Sequence, residues 1–229
     1  MIHKLDPKYF AIDPEFADIT KSILDPAIAL QKRTHPPSRL VLHQSMGSKN
    51  DTVTSDQYIV NQFSVVGYDR GYTIKDKNGK IIKRIKSLHL KPNSNEVSYS
   101  QAQYALHKHS GKWCLVPLVK YPMSDVCWHA GDTKWFSGTN SIHESSFGIE
   151  ICGDYRFEEL EKEAFIELAS IFKPYLLWYR EWLKEYIGTT TSYIPRGDFV
   201  VWGHQDFAET QCPGRIYEQI PYLRKLLEE

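Results

Sequence analysis

Two short apolar runs, Arg39-Leu40-Val41-Leu42-His43 and Phe199-Val200-Val201-Trp202-Gly203-His204, lie far apart in the chain, and each ends in a histidine. Runs of this length read as buried strands. Phe147-Gly148-Ile149-Glu150-Ile151 reads as a third. Between the last two lies the strongest helical pattern, residues 157–186, with Leu160, Ala164, Leu168 and Ile171, then Leu176, Leu177, Trp182 and Leu183, at helical spacing. Pro174 is expected to kink or split that helix, and Gly188 to Thr191 to form the loop after it. Two hairpins are expected: Tyr72–Lys75 with Ile81–Ile85 around Asp76-Lys77-Asn78-Gly79, and Ala102–Leu106 with Lys112–Val116 around His109-Ser110-Gly111. A further turn is expected at Pro92–Asn95, a helix over residues 54–66 and a closing helix over 215–228. Strands and helices are mixed, without repeats or a low-complexity linker. The expectation is a single α/β domain over residues 38–229, preceded by an N-terminal arm, residues 1–37, that ends in Thr34-His35-Pro36-Pro37.

The balance of 28 Lys plus Arg against 28 Asp plus Glu argues against nucleic acid as the main partner, because phosphate binding shows as a basic excess. No run reaches the ~18 consecutive apolar residues of a membrane span, so membrane insertion is not expected. Met1 to Pro7 carries no apolar secretory core, and synthesis in the cytoplasm without a signal peptide is the expectation. Four cysteines are too few and too scattered for a disulfide framework. Cys114, Cys127 and Cys152 sit in apolar or aromatic runs and read as small core residues.

Cys212 stands apart. It follows His204 by eight residues in Gly203-His204-Gln205-Asp206 through Cys212-Pro213-Gly214, a loop long enough to fold back and offer imidazole and thiolate to one cation. His43, at the end of the other strand, is a candidate third ligand. Three protein ligands with an open fourth position is the arrangement of catalytic zinc. On spacing alone, isolated His and Cys residues near strand ends are also ordinary core or surface fillers. Glu150 likewise reads in two ways: an outward-facing strand glutamate, or a proton-handling carboxylate in an apolar strand where an idle charge would be costly.

Leu40-Val41-Leu42-His43-Gln44-Ser45, Trp128-His129-Ala130-Gly131, Ser146-Phe147-Gly148-Ile149-Glu150 and Gly203-His204-Gln205-Asp206 through Cys212-Pro213-Gly214 occur in the order seen in one family. The chain resembles the zinc amidases of the peptidoglycan recognition protein and phage amidase-lysozyme superfamily over roughly residues 38–228. The resemblance implies a central mixed β-sheet flanked by helices, with a zinc ion in a surface groove. It puts His43, His204 and Cys212 in the positions of the metal ligands, and Glu150 in that of the water-activating base. Thr210 takes the place, two residues before Cys212, where several phage and bacterial members carry a lysine that steadies the oxyanion. It implies a substrate or transition-state contact for His129, packing or sugar contact for Trp128, and groove positions for Asn140 and for Tyr104 or its neighbour Gln103. His107, His109, His89, His143, His3 and His35 have no motif support and read as surface or turn residues.

The implied activity is cleavage of the amide between N-acetylmuramic acid and L-alanine in peptidoglycan. A phage-type endolysin that acts on the cell wall after release is preferred, because the third ligand is Cys. The alternatives are a cytoplasmic enzyme recycling soluble muropeptides and a non-catalytic peptidoglycan-binding module.

Overall fold

Strand β1 (Arg39–Gln44) is buried along nearly its whole length, and its position explains why. It runs between β8 (Ser146–Ile151) and β9 (Val200–Gly203), parallel to both. A strand with neighbours on both edges and layers on both faces reads as a continuous apolar run. The sheet is completed by β6 (Tyr104–His109), parallel to β8, and by β7 (Lys112–Pro117), antiparallel to β6 at the edge, giving the order β7-β6-β8-β1-β9. The computed structural model describes residues 33, 35–46, 73–75, 81–84, 88–90, 97–99, 102–119, 122–127, 129–130, 142–186 and 199–229.

The mixed sheet and the hairpin β6–β7 agree with the expectation from sequence. The hairpin turns on Ser110 (φ 50°) and Gly111 (φ 80°), a left-handed pair that matches the twist of a two-residue connection. The other expected hairpin is present as β2 (Thr73–Lys75) and β3 (Ile81–Arg84), paired antiparallel. A second small pair, β4 (Leu88–Leu90) with β5 (Val97–Tyr99), flanks the expected Pro92–Asn95 turn. That turn, the helix over 54–66 and the loop from Gly188 lie outside the described residues.

Alternation along the strands divides the sheet into two faces. Leu40, Leu42, Phe147, Ile149, Ile151 and Val201 pack with α2 (Lys162–Tyr186) and α3 (Ile216–Glu228) in the main core. On α2 the buried residues Ala164, Phe165, Leu168, Phe172, Tyr175, Leu176 and Tyr179 fall on one stripe. Of the kink or split expected at Pro174, the split does not occur: α2 is continuous through it. The carbonyl that a proline leaves without a partner belongs to Ser170, four residues earlier, and Ser170 is exposed to water, while Tyr175 and Tyr179 hold the second half on the same core. Gln219 of α3 ties down the approach to α2, accepting from Leu160 N (2.9 Å) and donating to its carbonyl (3.0 Å).

The second face carries a smaller cluster, Val41, Ala130, Ile142 and Phe207 with Trp202 against it. Here the sheet passes from apolar to polar towards the C-terminal ends of its parallel strands, because His43 follows Val41 on the same side of β1 and Glu150 follows Gly148 on β8. The short helix α1 (Ile142–Ser145) leads into β8. Arg33, 3% exposed, donates to the carbonyls of His143, Glu144 and Ser146, so the end of the expected arm is packed into the domain.

Candidate metal centre

His43 is the fifth residue of β1, and Leu42 lies in register with Gly203, the last residue of β9. His204 follows at once, opening a 3-10 turn (His204–Asp206), and so comes beside His43 with ring centroids 4.5 Å apart. The chain then folds back. Gln205 N donates to Cys212 O (2.9 Å), and Cys212 N donates to Thr210 Oγ1 (3.1 Å). Gly214 (φ 68°) continues the return against Tyr155, whose carbonyl accepts from Arg215 N (2.8 Å). Asp206 stiffens the turn by accepting from Gly203 N (2.9 Å) and Tyr217 Oη (2.6 Å).

The outcome is a cluster of three donor side chains, His43, His204 and Cys212, whose candidate ligand atoms all lie within 4.8 Å of one another. Cys212 Sγ is 3.8 Å from His43 Nδ1. Nitrogen and sulfur donors on one tetrahedral zinc, at ~2.0–2.1 and ~2.3 Å, stand roughly 3.5 Å apart. His204 Nε2 is buried without a hydrogen-bond partner, while the ring's other nitrogen is held by the backbone of Ala130. An orphaned buried nitrogen of this kind suits a metal, and its partner bond fixes the tautomer.

The electrostatics agree with the chemistry of this donor set. Burial, with His204 and His143 nearby, holds His43 well below the usual imidazole range, so it is neutral. His204 is lowered by burial, partly offset by its bond to Ala130. Burial pushes the Cys212 thiol up to about 12, although Gln44 N donates to its sulfur (3.3 Å) and favours the thiolate. Two neutral imidazoles and a thiol that lacks only a cation to ionise it fit a divalent metal such as zinc.

Glu150 lies in register with His43 on the neighbouring strand. Burial raises its carboxyl to about 8. Ala105 lies in register on its other side. An open groove of about 620 Å³ runs along the Cys212 loop, bounded by Arg156, Phe157, Gln205, Thr210 and Arg215.

Three expectations for supporting residues are corrected. Tyr104 does not line the groove: it is 5% exposed and packs against Phe147 and Phe172 on the opposite face, because its place in β6 turns it towards α2. Gln103 is fully buried, accepting from Gly148 N (2.6 Å) and donating to Asp125 O (3.4 Å). His129 is not free to contact a substrate through its ring nitrogens, since Nδ1 lies 3.0 Å from His43 Nε2 and Nε2 lies 2.9 Å from Ser146 Oγ. His107, His143 and His35 are buried rather than superficial, and His143 packs edge-on against His129 at 5.6 Å. Trp128 and Asn140 lie outside the described residues, as do His3 and the side chain of His89. Cys114, Cys127 and Cys152 are buried free thiols, as expected.

Sequence reasoning did not single out Gln44 or Ser146 by role. Gln44 holds the loop by accepting from Tyr155 N (2.6 Å) while its backbone serves Cys212. Its position directly after a strand-terminal ligand was the available signal.

Comparison with known proteins completes the picture. Among solved structures, the chain is 14% identical to the catalytic domain of XlyA (TM-score 0.45, covering 90% of this chain and 97% of that one). It is also 14% identical to the N-acetylmuramoyl-L-alanine amidase LysC from Clostridium intestinale URNW (TM-score 0.42, 90% and 96% covered). To human PGRP-IBETAC in complex with glycosamyl muramyl pentapeptide it is 13% identical (TM-score 0.46, 87% and 90% covered). No curated protein matches the sequence. Residues 33–215, most of the chain and all of the cluster just described, match the family described as N-acetylmuramoyl-L-alanine amidase, to which this chain therefore belongs.

Proposed function

We propose that the protein is a zinc hydrolase that cleaves the amide between N-acetylmuramic acid and L-alanine in peptidoglycan, acting as a phage-type endolysin. The observation that carries this reading is the convergence of His43, His204 and Cys212 beside Glu150. These three residues would hold the metal. When bound, zinc acts as a Lewis acid on the amide carbonyl and makes water acidic enough to attack near neutral pH. Glu150 takes the proton of the attacking water and returns it to the nitrogen of the departing L-alanyl group. One water is consumed, the C–N bond breaks, and the products are a muramic acid carboxylate and a free peptide. The Thr210 hydroxyl accepts from Cys212 N and keeps its own proton, which it donates to the developing oxyanion.

A binding module without catalysis would have no use for a cysteine with two histidines and a carboxylate with raised proton affinity at one place. That favours an enzyme. Among the described residues no helix is long and apolar enough to cross a membrane, which fits attack on the wall from solution. The test is zinc analysis of the purified protein, with mass spectrometry of sacculi and of soluble muropeptides after digestion. Release of L-alanyl peptides from intact sacculi is expected. Activity confined to soluble muropeptides would favour the recycling enzyme, and binding without release the recognition module.

A further inference from the structure

One side of β8 presents Ser146, Gly148 and Glu150 in succession, because alternate residues of a strand share a face. Glu150 stands beside His43. The two residues before it on that face bear on His129. A Cβ at position 148 would lie 2.6 Å from His129 Cγ, so only glycine lets the ring settle there. Ser146, fully buried, then meets the far edge of the ring, its Oγ 2.9 Å from His129 Nε2. Ser146 Oγ also donates to the carbonyl of Ile142.

That carbonyl fixes the direction of every bond in the chain. A carbonyl only accepts, so the single hydroxyl proton of Ser146 is committed to Ile142, and Oγ must accept from His129. His129 is therefore protonated on Nε2 and carries its lone pair on Nδ1. It accepts at Nδ1 from His43 Nε2, 3.0 Å away. His43 is left with its lone pair on Nδ1, the atom that faces Cys212 Sγ at 3.8 Å.

We infer that Ser146 and His129 are positioning residues that hold His43 in the Nε2–H tautomer, so that Nδ1 is the ligand atom presented to the metal. The inference rests on the reading of His43 as a metal ligand. Partners of this kind orient a metal-bound imidazole, and their loss typically weakens metal affinity 10–100-fold. The arrangement makes the two histidines opposite in kind: His43 binds through Nδ1, whereas His204, tied through its other nitrogen to Ala130, binds through Nε2.

The experiment has two arms on the full chain. In the metal-free protein, long-range 1H–15N correlation spectra of the imidazoles report each tautomer. His43 is expected as Nε2–H, and an Nδ1–H signal would overturn the inference whatever the variants do. In the second arm, zinc affinity is measured by chelator competition for Ser146→Ala, His129→Asn and His129→Gln. Asparagine can place an acceptor near the Nδ1 position, glutamine only near Nε2. Ser146→Ala and His129→Gln should bind zinc 10–100-fold more weakly, with His129→Asn closer to wild type. Equal affinity in all of them, with the His43 tautomer unchanged, would also overturn it. Should a His129 variant fail to fold, the wild-type tautomer and the small truncation Ser146→Ala still decide. A wild type that binds no zinc would defeat the proposed function, and the tautomer would still test the hydrogen-bonded chain on its own.

Discussion

Glu150 of β8 and His43 of β1 are Cα partners across a parallel ladder, so both side chains leave the same face of the sheet at the same level. The candidate proton carrier and a candidate ligand are thus placed by backbone pairing in the centre of the sheet rather than by a loop. Glu150→Gln should leave zinc content and fold intact and lower turnover by about 10²–10⁴, the usual contribution of a general acid–base group. Zinc analysis alongside peptide release checks this, and near-wild-type turnover would remove Glu150 from the mechanism.

The same carboxyl makes the metal-free protein sensitive to pH. Burial raises Glu150 from 4.5 to about 8. Between those values the folded state keeps a proton that the unfolded chain has released. Raising the pH therefore favours unfolding, and stability present below the ordinary carboxylate range is lost as the pH climbs to about 8. Glu150→Gln removes that loss and should be the more stable protein at pH 8, by up to about 4 kcal/mol. Denaturant melts of both chelated proteins at pH 5 and pH 8 should show the difference growing with pH.

Gly214 combines a left-handed backbone with a close approach: a Cβ there would lie 2.7 Å from the carbonyl carbon of Tyr155. Neither strain nor contact can relax without moving the strand of chain that carries Cys212. Gly214→Ala should cost about 1–3 kcal/mol and weaken zinc binding together with stability, both measurable in one melt series with and without zinc.

Much of this was legible in the sequence, and the physical reason is that the site sits on regular structure. His43 and Glu150 lie in strands whose apolar runs announce them, and Cys212 lies on a return loop whose Pro213-Gly214 marks its turn. What failed was facing and burial. Tyr104 opens β6 and Gln103 sits just before it, and the sequence alone did not show that one faces α2 and the other is closed off beneath Gly148. His143 and His107 gave no sign of burial, because a lone histidine looks the same inside and out until the layers that cover it are known. Pro174 does not break α2, because a proline costs a helix least where the residue four places back, here Ser170, is exposed to water.

Thr210 joins two roles that can be separated. Its oxygen accepts from Cys212 N, and its hydrogen is available to an oxyanion. Thr210→Ser keeps both and should stay close to wild type. Thr210→Val loses both, and should lower turnover by less than the ~10²–10³ of a strong oxyanion donor. If zinc affinity falls in parallel with turnover in the valine variant, holding the turn is the residue's whole contribution.

Cys212 makes the metal-binding step visible as a proton count. With its thiol pushed up to about 12 and His43 and His204 neutral through burial, the metal-free cluster holds one proton that a thiolate–zinc bond must displace. Binding should then release about one proton per zinc near pH 7, and the apparent affinity should rise roughly tenfold per pH unit. Calorimetric titrations in buffers of different ionisation enthalpy give the number directly. Cys212→Ser should weaken binding and abolish the proton release, because a serine hydroxyl does not ionise in its place. Release of two protons in the wild type would mean that Glu150, which holds a proton near pH 7 in the metal-free protein, also gives it up when zinc arrives. Release of none would mean that the sulfur is not a ligand.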